Sequence, residues 1–396
     1  GTLITSRNAS ASLERTTRNQ FTGMLNYSRA IASHTFDLLL GSEYYKDNYY
    51  QFRAATKDSP TDLIHTLNAG SEANGVPYSF ETENAIVSAF GRLNYDYQGR
   101  YLVGLTFRRD GSSKLGNNKY GFFPGISLGW NVHEEAFFDG SGVGSIFNTI
   151  KPRVSYGVNG NLESIGGNYS VFGSYGSQGI YDGSTGYGNT GLPTLDLRWE
   201  RSTTLNFGLD FSMLNNRLSI ISDYYVRDVQ DKIAGLTLPY WTGFSSITTN
   251  NGTLRNKGIE LQLNIEPIRS NDLSWHITGT FTHFKNYVVK LPENDNERNR
   301  QGGYQIYNDN GELEWVGGLQ EGQRVGNDVI VAYIQDYIYR DEAEVAVHEG
   351  RVDVLLPDHT KRYPGDVAWV DINGDNIINS YDRRIIGRST PDVYGG

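Results

Sequence analysis

A strict alternation of apolar and polar residues between positions 201 and 229 limits the possible folds of this chain more than any other feature. Two alternating runs flank a short polar turn, residues 214–217, in which Asn215 and Asn216 tolerate a positive φ angle. A side-chain period of two requires extended strands with one apolar and one polar face. The residues therefore predict a long β-hairpin. Its apolar face carries Leu205, Phe207, Leu209, Phe211, Met213, Leu218, Ile220, Tyr224 and Val226.

The composition favours an all-β protein and excludes several classes of function. The 396 residues include 46 glycines and 27 tyrosines, which suits many strands and turns. A net charge of −10 argues against nucleic acid as a partner, and the absence of cysteine excludes disulfides and thiol chemistry. No apolar run approaches the ~18–20 residues of a membrane-spanning helix. The strands of a membrane β-barrel alternate and need no such run.

About ten strands of this kind follow one another, and their connections alternate in length. The short connections are residues 32–34, 98–100, 214–217 and 268–272, with the mid-length connection 133–148 in the same set. The long ones are residues 46–83, 109–121, 159–198, 230–254 and 290 onward. Outer-membrane barrels have short periplasmic turns and long extracellular loops. The pattern therefore favours an antiparallel transmembrane β-barrel segment of about 10–12 strands. Periodicity alone also allows a soluble β-sandwich.

The two predicted faces differ as lipid and a water-filled lumen differ. The apolar face carries aliphatic residues and Phe in mid-strand. Its aromatic residues near strand ends are Tyr44, Tyr97, Tyr101, Trp130, Tyr224 and Trp275. The other face carries Asp37, Glu43, Arg92, Arg108, Arg153, Asp210, Asp223, Glu260 and Glu266. A dry core cannot hold these charges unpaired, because each would cost several kcal/mol. We expect this face to meet water, either in a lumen or outside a sandwich.

The stretch from Asp371 to Asp382 has the spacing of a 12-residue calcium loop, embedded in residues 365–387. The predicted ligands are Asp371, Asn373, Asp375, the carbonyl of Ile377, Asn379 and Asp382. Calcium takes six to eight oxygens, and this spacing places them around one centre. The loop departs from an EF-hand in having Asn376 at its sixth position, where Asn can reach a positive φ angle. It also has aspartate at its last position, and in this it resembles dockerin-type loops. The alternative is an Asx-rich turn without metal. We predict a structural Ca²⁺ site in which Ile378 anchors the loop on apolar neighbours.

Aromatic residues in the long loops are the candidate contacts for a substrate or a partner. They are Tyr169, Tyr175, Tyr181, Tyr187 and Trp241. These rings can stack on sugars or hold peptides, and the tyrosine-rich loop can equally pack on itself. The seven histidines lack the spacing of a zinc site, and the acidic pair Glu134-Glu135 is predicted to be solvated surface. No catalytic constellation stands out, so we expect no enzyme.

Several stretches, in this order, resemble the SusC/RagA-type TonB-dependent outer-membrane transporters of Bacteroidetes. They include residues 33–43 (SHTFDLLLGSE), 108–115 (RRDGSSKL), 121–130 (GFFPGISLGW), 154–161 (VSYGVNGN), 197–200 (LRWE), 256–260 (NKGIE) and 364–366 (PGD). The matches span most of the chain. The resemblance implies a 22-stranded barrel with a plugged lumen in the outer membrane. It also implies that the plug and TonB box precede Gly1 and that the last strands follow Gly396.

The same resemblance implies a function and partners. The expected activity is TonB-dependent import of an oligomeric nutrient, a glycan or a peptide. The expected partners are a SusD-like surface lipoprotein that caps the barrel, TonB, and outer-membrane lipid. The alternative is a secreted β-sandwich that binds carbohydrate and carries a dockerin-like calcium loop. In that protein the leucine and phenylalanine faces would form a core and the chain would fold alone in water.

Overall fold

The computed structural model describes residues 7–61, 63–139, 142, 144–356 and 358–396. The predicted barrel wall over residues 1–396 also includes residues 1–6, 62, 140, 141, 143 and 357, which lie outside the described residues. No helix in the part that is described is long and apolar enough to cross a membrane.

The described residues are mostly β-strand. The strands are β1 (Ala9–Ile31), β2 (His34–Lys57), β3 (Glu72–Ala73), β4 (Tyr78–Tyr97), β5 (Tyr101–Ser112), β6 (Tyr120–Trp130), β7 (Phe147–Asn161), β8 (Ser174–Tyr181), β9 (Ser184–Gly191), β10 (Glu200–Met213), β11 (Leu218–Thr237), β12 (Ser246–Arg269), β13 (Ser274–Lys290), β14 (Tyr304–Tyr307), β15 (Leu313–Val316), β16 (Val329–Tyr333), β17 (Gln335–Ile338), β18 (Val352–Asp353), β19 (Val367–Trp369), β20 (Ile377–Ile378), β21 (Arg383–Arg388) and β22 (Val393–Gly395). Two short α-helices are α1 (Ala136–Asp139) and α2 (Glu342–Ala346). Single 3₁₀ turns cover Leu67–Ala69, Val132–Glu134, Ser170–Phe172, Tyr240–Thr242 and Glu297–Asn299.

Twelve strands form one sheet, in the order β1-β2-β4-β5-β6-β7-β10-β11-β12-β13-β22, with β3 paired to β2. The other pairs in the described residues are two-stranded: β8–β9, β14–β15, β16–β21, β17–β19 and the parallel pair β18–β20. The predicted antiparallel, all-β fold is confirmed. The chain divides into two compact units. The first comprises residues 1–141, 151–204 and 233–250, and the second comprises residues 142–150, 205–232 and 251–396.

The strand register of the first unit confirms the two predicted faces. Residues directly opposite one another on neighbouring antiparallel strands point to the same side of the sheet. One such row crosses five strands and is apolar throughout: Leu38, Leu93, Leu105, Ile126 and Tyr156. The row next to it is small or polar: Asp37, Asn94, Gly104, Ser127 and Ser155. In these two rows, the alternation along each of the five strands therefore sorts the side chains by polarity.

In the second unit, β12 and β13 pair in continuous register from Leu254 to Ile265, with a register shift at each end of that stretch. Strand β12 pairs with β13 so that Leu261 lies opposite Phe281. The register shifts after Ile265, and Glu266 lies inside that irregularity. The carboxylate of Glu266 is buried and pairs with Arg269. Glu266 therefore does not continue the water-facing row that the sequence predicts for it, because the bulge interrupts the period of two.

The turn between β10 and β11 has the predicted position and uses the predicted asparagines. Asn215 and Asn216 have φ angles of 57° and 60°. Leu214 also has a positive φ, 56°, which is unusual for a leucine and was not predicted. Its backbone N–H donates to the carbonyl of Ile146 over 3.2 Å. The positive φ angles of the two asparagines follow from their own side chains. The positive φ angle of Leu214 is instead held by a hydrogen bond to a residue distant in sequence.

The predicted loop limits are wrong in the long connections. The sequence predicts a loop over residues 46–83, but β2 continues to Lys57 and β4 begins at Tyr78. Likewise β11 continues to Thr237 and β12 begins at Ser246, within the predicted loop 230–254. The strands extend beyond the residues that alternate between apolar and polar. They can do so because a part of the sheet with water on both faces needs no apolar face. Their backbone pairing continues, so the sequence loses its signal before the strand ends.

Glu135 ties together two aromatic side chains at the short-turn end of the first unit. The Tyr101 hydroxyl and the Trp130 indole N–H donate to the same carboxylate oxygen, over 2.7 and 3.0 Å. The Arg100 guanidinium lies 3.5 Å from the other oxygen. Glu135 is only 9% exposed, so its predicted solvated position is wrong, while Glu134 is exposed. The bonds to Tyr101 and Trp130 lower the pKa of the Glu135 carboxyl.

This lowered pKa makes the stability of the first unit depend on pH. A carboxyl whose pKa is lower in the folded than in the unfolded state stabilises the fold above its unfolded pKa, about 4.3 for glutamate. That contribution is lost as the pH falls through the folded pKa. We expect Glu135→Gln to lower the urea midpoint of the full-length protein in detergent at pH 7, with a difference that shrinks below about pH 4. A constant difference from pH 7 to pH 3 would contradict this role.

Candidate functional site

A small apolar core in the first unit fixes the ends of the long loops. It consists of Leu115, Phe123, Val158, Leu162, Ile165, Val171, Leu197, Trp199 and Ile233. The rings of Phe123 and Trp199 meet edge to face at 5.5 Å, and the Trp199 indole donates to the carbonyl of Lys119 over 2.9 Å. A buried aromatic pair with its polar atom satisfied gives the loops a rigid base.

A buried carboxylate joins three strands beside this core. Glu200 is 2% exposed and accepts from the Asn161 side-chain amide over 2.9 Å and from the Ile233 backbone N–H over 2.8 Å. It therefore connects β7, β10 and β11. Sequence reasoning missed this residue. The available signal was its place directly after the apolar Trp199, as the first residue of an alternating strand.

The tyrosine-rich stretch is a hairpin that displays its rings. Strands β8 and β9 pair with Ser177 opposite Tyr187 and Tyr175 opposite Asn189, so Tyr175 and Tyr187 share one face. Both are exposed, and Tyr181 is 85% exposed. These three rings are exposed and are not packed against the rest of the loop, unlike in the alternative in which the loop packs on itself. Their contact with a substrate or partner stays a prediction.

Tyr169 and Trp241 occupy different surroundings. The Tyr169 hydroxyl accepts from the backbone N–H of Glu83 over 3.1 Å, so this residue ties the loop to β4. Trp241 lies in the 3₁₀ turn Tyr240–Thr242 and is exposed, with its ring edge to face with that of Tyr240. The Thr242 hydroxyl donates to the carbonyl of Pro239 over 2.8 Å and holds the turn. Trp241 stays a predicted contact residue.

The predicted calcium loop has the expected backbone. Asn376, at the sixth position, has a φ of 62°, the left-handed conformation that the tight turn needs. Ile378 is 1% exposed and anchors the loop, as predicted. The short strand β20 (Ile377–Ile378) pairs in parallel with β18 (Val352–Asp353). The local sequence therefore produces a compact, well-seated loop.

The oxygen atoms of this loop accept hydrogen bonds from its own backbone. The two carboxylate oxygens of Asp371 accept from the N–H groups of Gly374 and Asn376, both over 2.8 Å. Asp382 is fully buried and accepts from Ile372 and Asn379, and burial raises the pKa of its carboxyl. Across the described residues, no group of three or more His, Cys, Asp or Glu is placed to hold a metal ion. The ligand set stays a prediction.

The fold and these surfaces define the wall of an outer-membrane barrel with elaborate loops. The family model described as "TonB dependent receptor-like, beta-barrel" matches residues 2–375. The chain belongs to this family, which is one of receptors and transporters of the outer membrane. The resemblance to the SusC/RagA type is confirmed.

Relatives and solved structures agree with this assignment. The chain is 31% identical over 392 residues to the TonB-dependent receptor P3 of Formosa agariphila, covering 96% of this chain and 37% of that protein. It is 28% identical over 386 residues to the TonB-dependent receptor SusC of Bacteroides thetaiotaomicron, covering 94% and 35%. The structure of the RagAB peptide transporter matches 98% of this chain and 40% of its own with a TM-score of 0.73, at 23% identity. The chain thus spans little more than a third of its curated relatives.

The row that contains Ile126 gives a direct test of which face meets lipid. A lysine on the lipid face near the bilayer midplane costs about 2–4 kcal/mol, whereas lumen substitutions are tolerated. We expect Ile126→Lys to reduce the amount of folded full-length protein in the outer membrane, measured by heat-modifiable migration on gels. The matched control is Ser127→Lys, one residue along the same strand and on the other face. Equal loss in both variants, or greater loss in the control, would reverse the assignment of the faces.

Proposed function

We propose that the full-length protein carrying this chain imports an oligomeric nutrient, a glycan or a peptide, across the outer membrane. The observation that carries the proposal is the five-strand apolar row with a polar row beside it, in a chain that belongs to the TonB-dependent receptor family. An apolar outer face suits lipid and a polar inner face suits a hydrated passage. This chain would supply part of the wall and several substrate-facing loops.

The proposed partners follow from the same family membership. TonB would supply energy through a region before Gly1, and a SusD-like lipoprotein would cover the loop end. Exposed rings at that end, on the β8–β9 hairpin and at Trp241, suit contact with such a cap or with substrate. RagAB is described as a peptide transporter. For this chain we keep glycan and peptide as the two candidate substrate classes.

The β-sandwich alternative is wrong. A sandwich packs two sheets of similar size over a dry core, whereas here one sheet has twelve strands and the others in the described residues have two. Three of the five residues in the apolar row of this sheet are also exposed: Leu105 is 42%, Ile126 43% and Tyr156 44% exposed. A secreted carbohydrate-binding sandwich therefore does not fit the chain.

Import can be tested with a mixed, isotope-labelled digest of glycans and peptides supplied to the native organism. We expect deletion of the gene to abolish accumulation of a defined subset of oligomers. Loss of TonB function should remove the same subset, because the energy comes from the inner membrane. Accumulation of every oligomer at the parental rate in the deletion strain would contradict the proposal.

We also propose that the loop Asp371–Asp382 binds Ca²⁺ in a structural role. The left-handed Asn376 and the anchored Ile378 support this proposal. An ionised carboxylate offers about four lone-pair sites, so Asp371 and Asp375 keep acceptor capacity beyond their bonds to backbone N–H groups. Metal binding would turn those remaining sites, with Asn373, Asn379, Asp382 and the Ile377 carbonyl, toward one ion.

Calcium titration of the full-length protein tests this site. A ligand at about 100 times its Kd stabilises the folded state by about 2.7 kcal/mol. We expect Ca²⁺ to raise the thermal midpoint relative to a chelator, and Asp371→Ala to remove most of that increase. Asp272→Ala, which removes one exposed charge from the β12–β13 turn, is the control and should keep it. A calcium response unchanged in Asp371→Ala would place the ion elsewhere.

A further inference from the structure

A cavity of about 530 Å³ lies in the second unit, in the segment between β13 and β22. Its size falls within the range of small-molecule sites, roughly 300–1,000 Å³. The lining includes the 3₁₀ turn Glu297–Asn299, strand β15 and the first residue of β16. Four arginines line it: Arg298, Arg300, Arg324 and Arg388. So many cations around one cavity need counter-charges.

Three of the four arginines have carboxylate partners in the protein. Arg324 pairs with Asp392, and Arg388 pairs with Asp328 over 2.7 Å. Arg298 lies 4.0 Å from the carboxylate of its neighbour, Glu297. Arg324 and Arg388 are therefore neutralised within the fold, whereas Arg298 lies at the limit of ion-pair distance from an exposed glutamate.

Arg300 differs from the other three. Its guanidinium carbon lies 3.5 Å from the centre of the Trp315 ring, which is the distance of a flat stack. Among the residues that the structure describes, no carboxylate lies within ion-pair distance of this guanidinium. Arg300 is half-buried and Trp315 is 38% exposed. Stacking on a ring occupies one face of the guanidinium and leaves the N–H groups at its edge available to an acceptor.

The backbone before Arg300 is strained and held by a dense set of hydrogen bonds. Asp295, Arg298 and Asn299 have φ angles of 60°, 54° and 48°. The Asn294 side-chain amide donates to the carbonyl of Arg300 over 2.8 Å and to that of Asn299 over 3.3 Å. Strained backbone of this kind persists only where its surroundings hold it, and it is concentrated at ligand sites.

A glutamate secures the same segment from the other side. One carboxylate oxygen of Glu321 accepts from the Asn299 amide over 3.0 Å and from the Leu291 backbone N–H over 2.8 Å. The backbone of Trp315 is held as well, because the Gln320 amide donates to its carbonyl over 3.2 Å and β15 pairs with β14. The backbone that carries both members of the Arg300–Trp315 stack is thus held before any ligand arrives, which lowers the entropy that binding has to overcome.

We propose that this cavity binds an acidic sugar unit, with its carboxylate held by Arg300. A guanidinium edge matches a carboxylate with two parallel N–H···O bonds. The other polar groups of the lining favour a sugar acid over a peptide carboxyl terminus. Glu297, Glu314 and the side-chain oxygen of Gln320 are acceptors in the lining that can each take hydrogen bonds from a ligand. A uronic acid carries hydroxyl donors close to its carboxylate, whereas a peptide terminus offers a single nearby amide N–H.

This assignment rests on the proposed function in one respect, namely that the ligand is a nutrient; binding itself needs neither TonB nor transport. The probe is a galacturonic acid tetramer, titrated by calorimetry into the full-length protein in detergent. Its methyl-esterified form is the matched ligand without charge. We expect the acid form to bind at least about tenfold more tightly than the ester, because a hydrogen bond to a charged group is lost in the ester.

Variants separate Arg300 from general electrostatics. Arg300→Gln should weaken binding of the acid tetramer by about tenfold or more, and Arg300→Lys, which keeps the charge but not the paired N–H groups, should weaken it less. The control is Arg109→Gln, because Arg109 also stacks on a ring, that of Tyr120 at 4.8 Å, but does not line the cavity. It should bind as the parent does. Thermal unfolding confirms that each variant is folded.

Three results would overturn the assignment. They are no binding of the acid tetramer by the parent, unchanged binding by Arg300→Gln, and tighter binding of an unmodified tetrapeptide than of the tetramer. Intact binding in a protein that fails the import test would leave the cavity assigned and remove only the transport proposal. Normal import with no binding of the acidic sugar would leave the transport proposal in place and remove the assignment of the cavity.

Discussion

The structure depends on one constraint: each backbone N–H and C=O that crosses hydrocarbon must find its partner on a neighbouring strand, since lipid offers none. The first unit meets it with unbroken ladders. All 23 residues of β1 pair with β2 without a register shift. A fixed register fixes which side chains lie side by side, so the apolar row from Leu38 to Tyr156 follows from pairing combined with alternation. A slip by one residue would turn Asp37 and its row toward lipid.

The same constraint explains which parts of the fold the sequence predicts. Where one face meets lipid, alternation is obligatory, and the ten long strands and their short turns are visible in the residues. Where the sheet extends beyond the membrane, both of its faces contact water. The outer part of β2, up to Lys57, therefore has no alternation that would predict a strand. At Glu266 the alternation is present in the sequence but the predicted water-facing position is wrong. The alternation continues through it in sequence, but a bulge, which depends on the partner strand, withdraws it from the row.

Site residues divide in a similar way between local and non-local causes. The left-handed Asn376 follows from spacing alone, because a 12-residue loop must turn sharply at its sixth position. The orientation of the loop's oxygens does not follow, since each has a backbone N–H nearby that competes for it. Glu135 and Glu200 are buried through partners distant in sequence, Tyr101 and Ile233 among them. The sequence around either glutamate carries no trace of those partners.

Ligand specificity has to lie in segments outside the alternating strands. In a strand with alternating apolar and polar residues, the lipid-facing and lumen-facing positions are fixed, so few positions are free to bind a ligand. The segment after β13 shows what that freedom permits. Its residues 294–299 are rich in asparagine and aspartate, the side chains that tolerate left-handed backbone and bond to it locally. The lone charge of Arg300 is not caused by a shortage of acids, because Arg324 and Arg388 find aspartates around the same cavity. The fold supplies a counter-charge to those cations and an aromatic ring to Arg300. A ring supports a guanidinium without occupying its N–H edge, so the arrangement preserves binding capacity that an ion pair would use up.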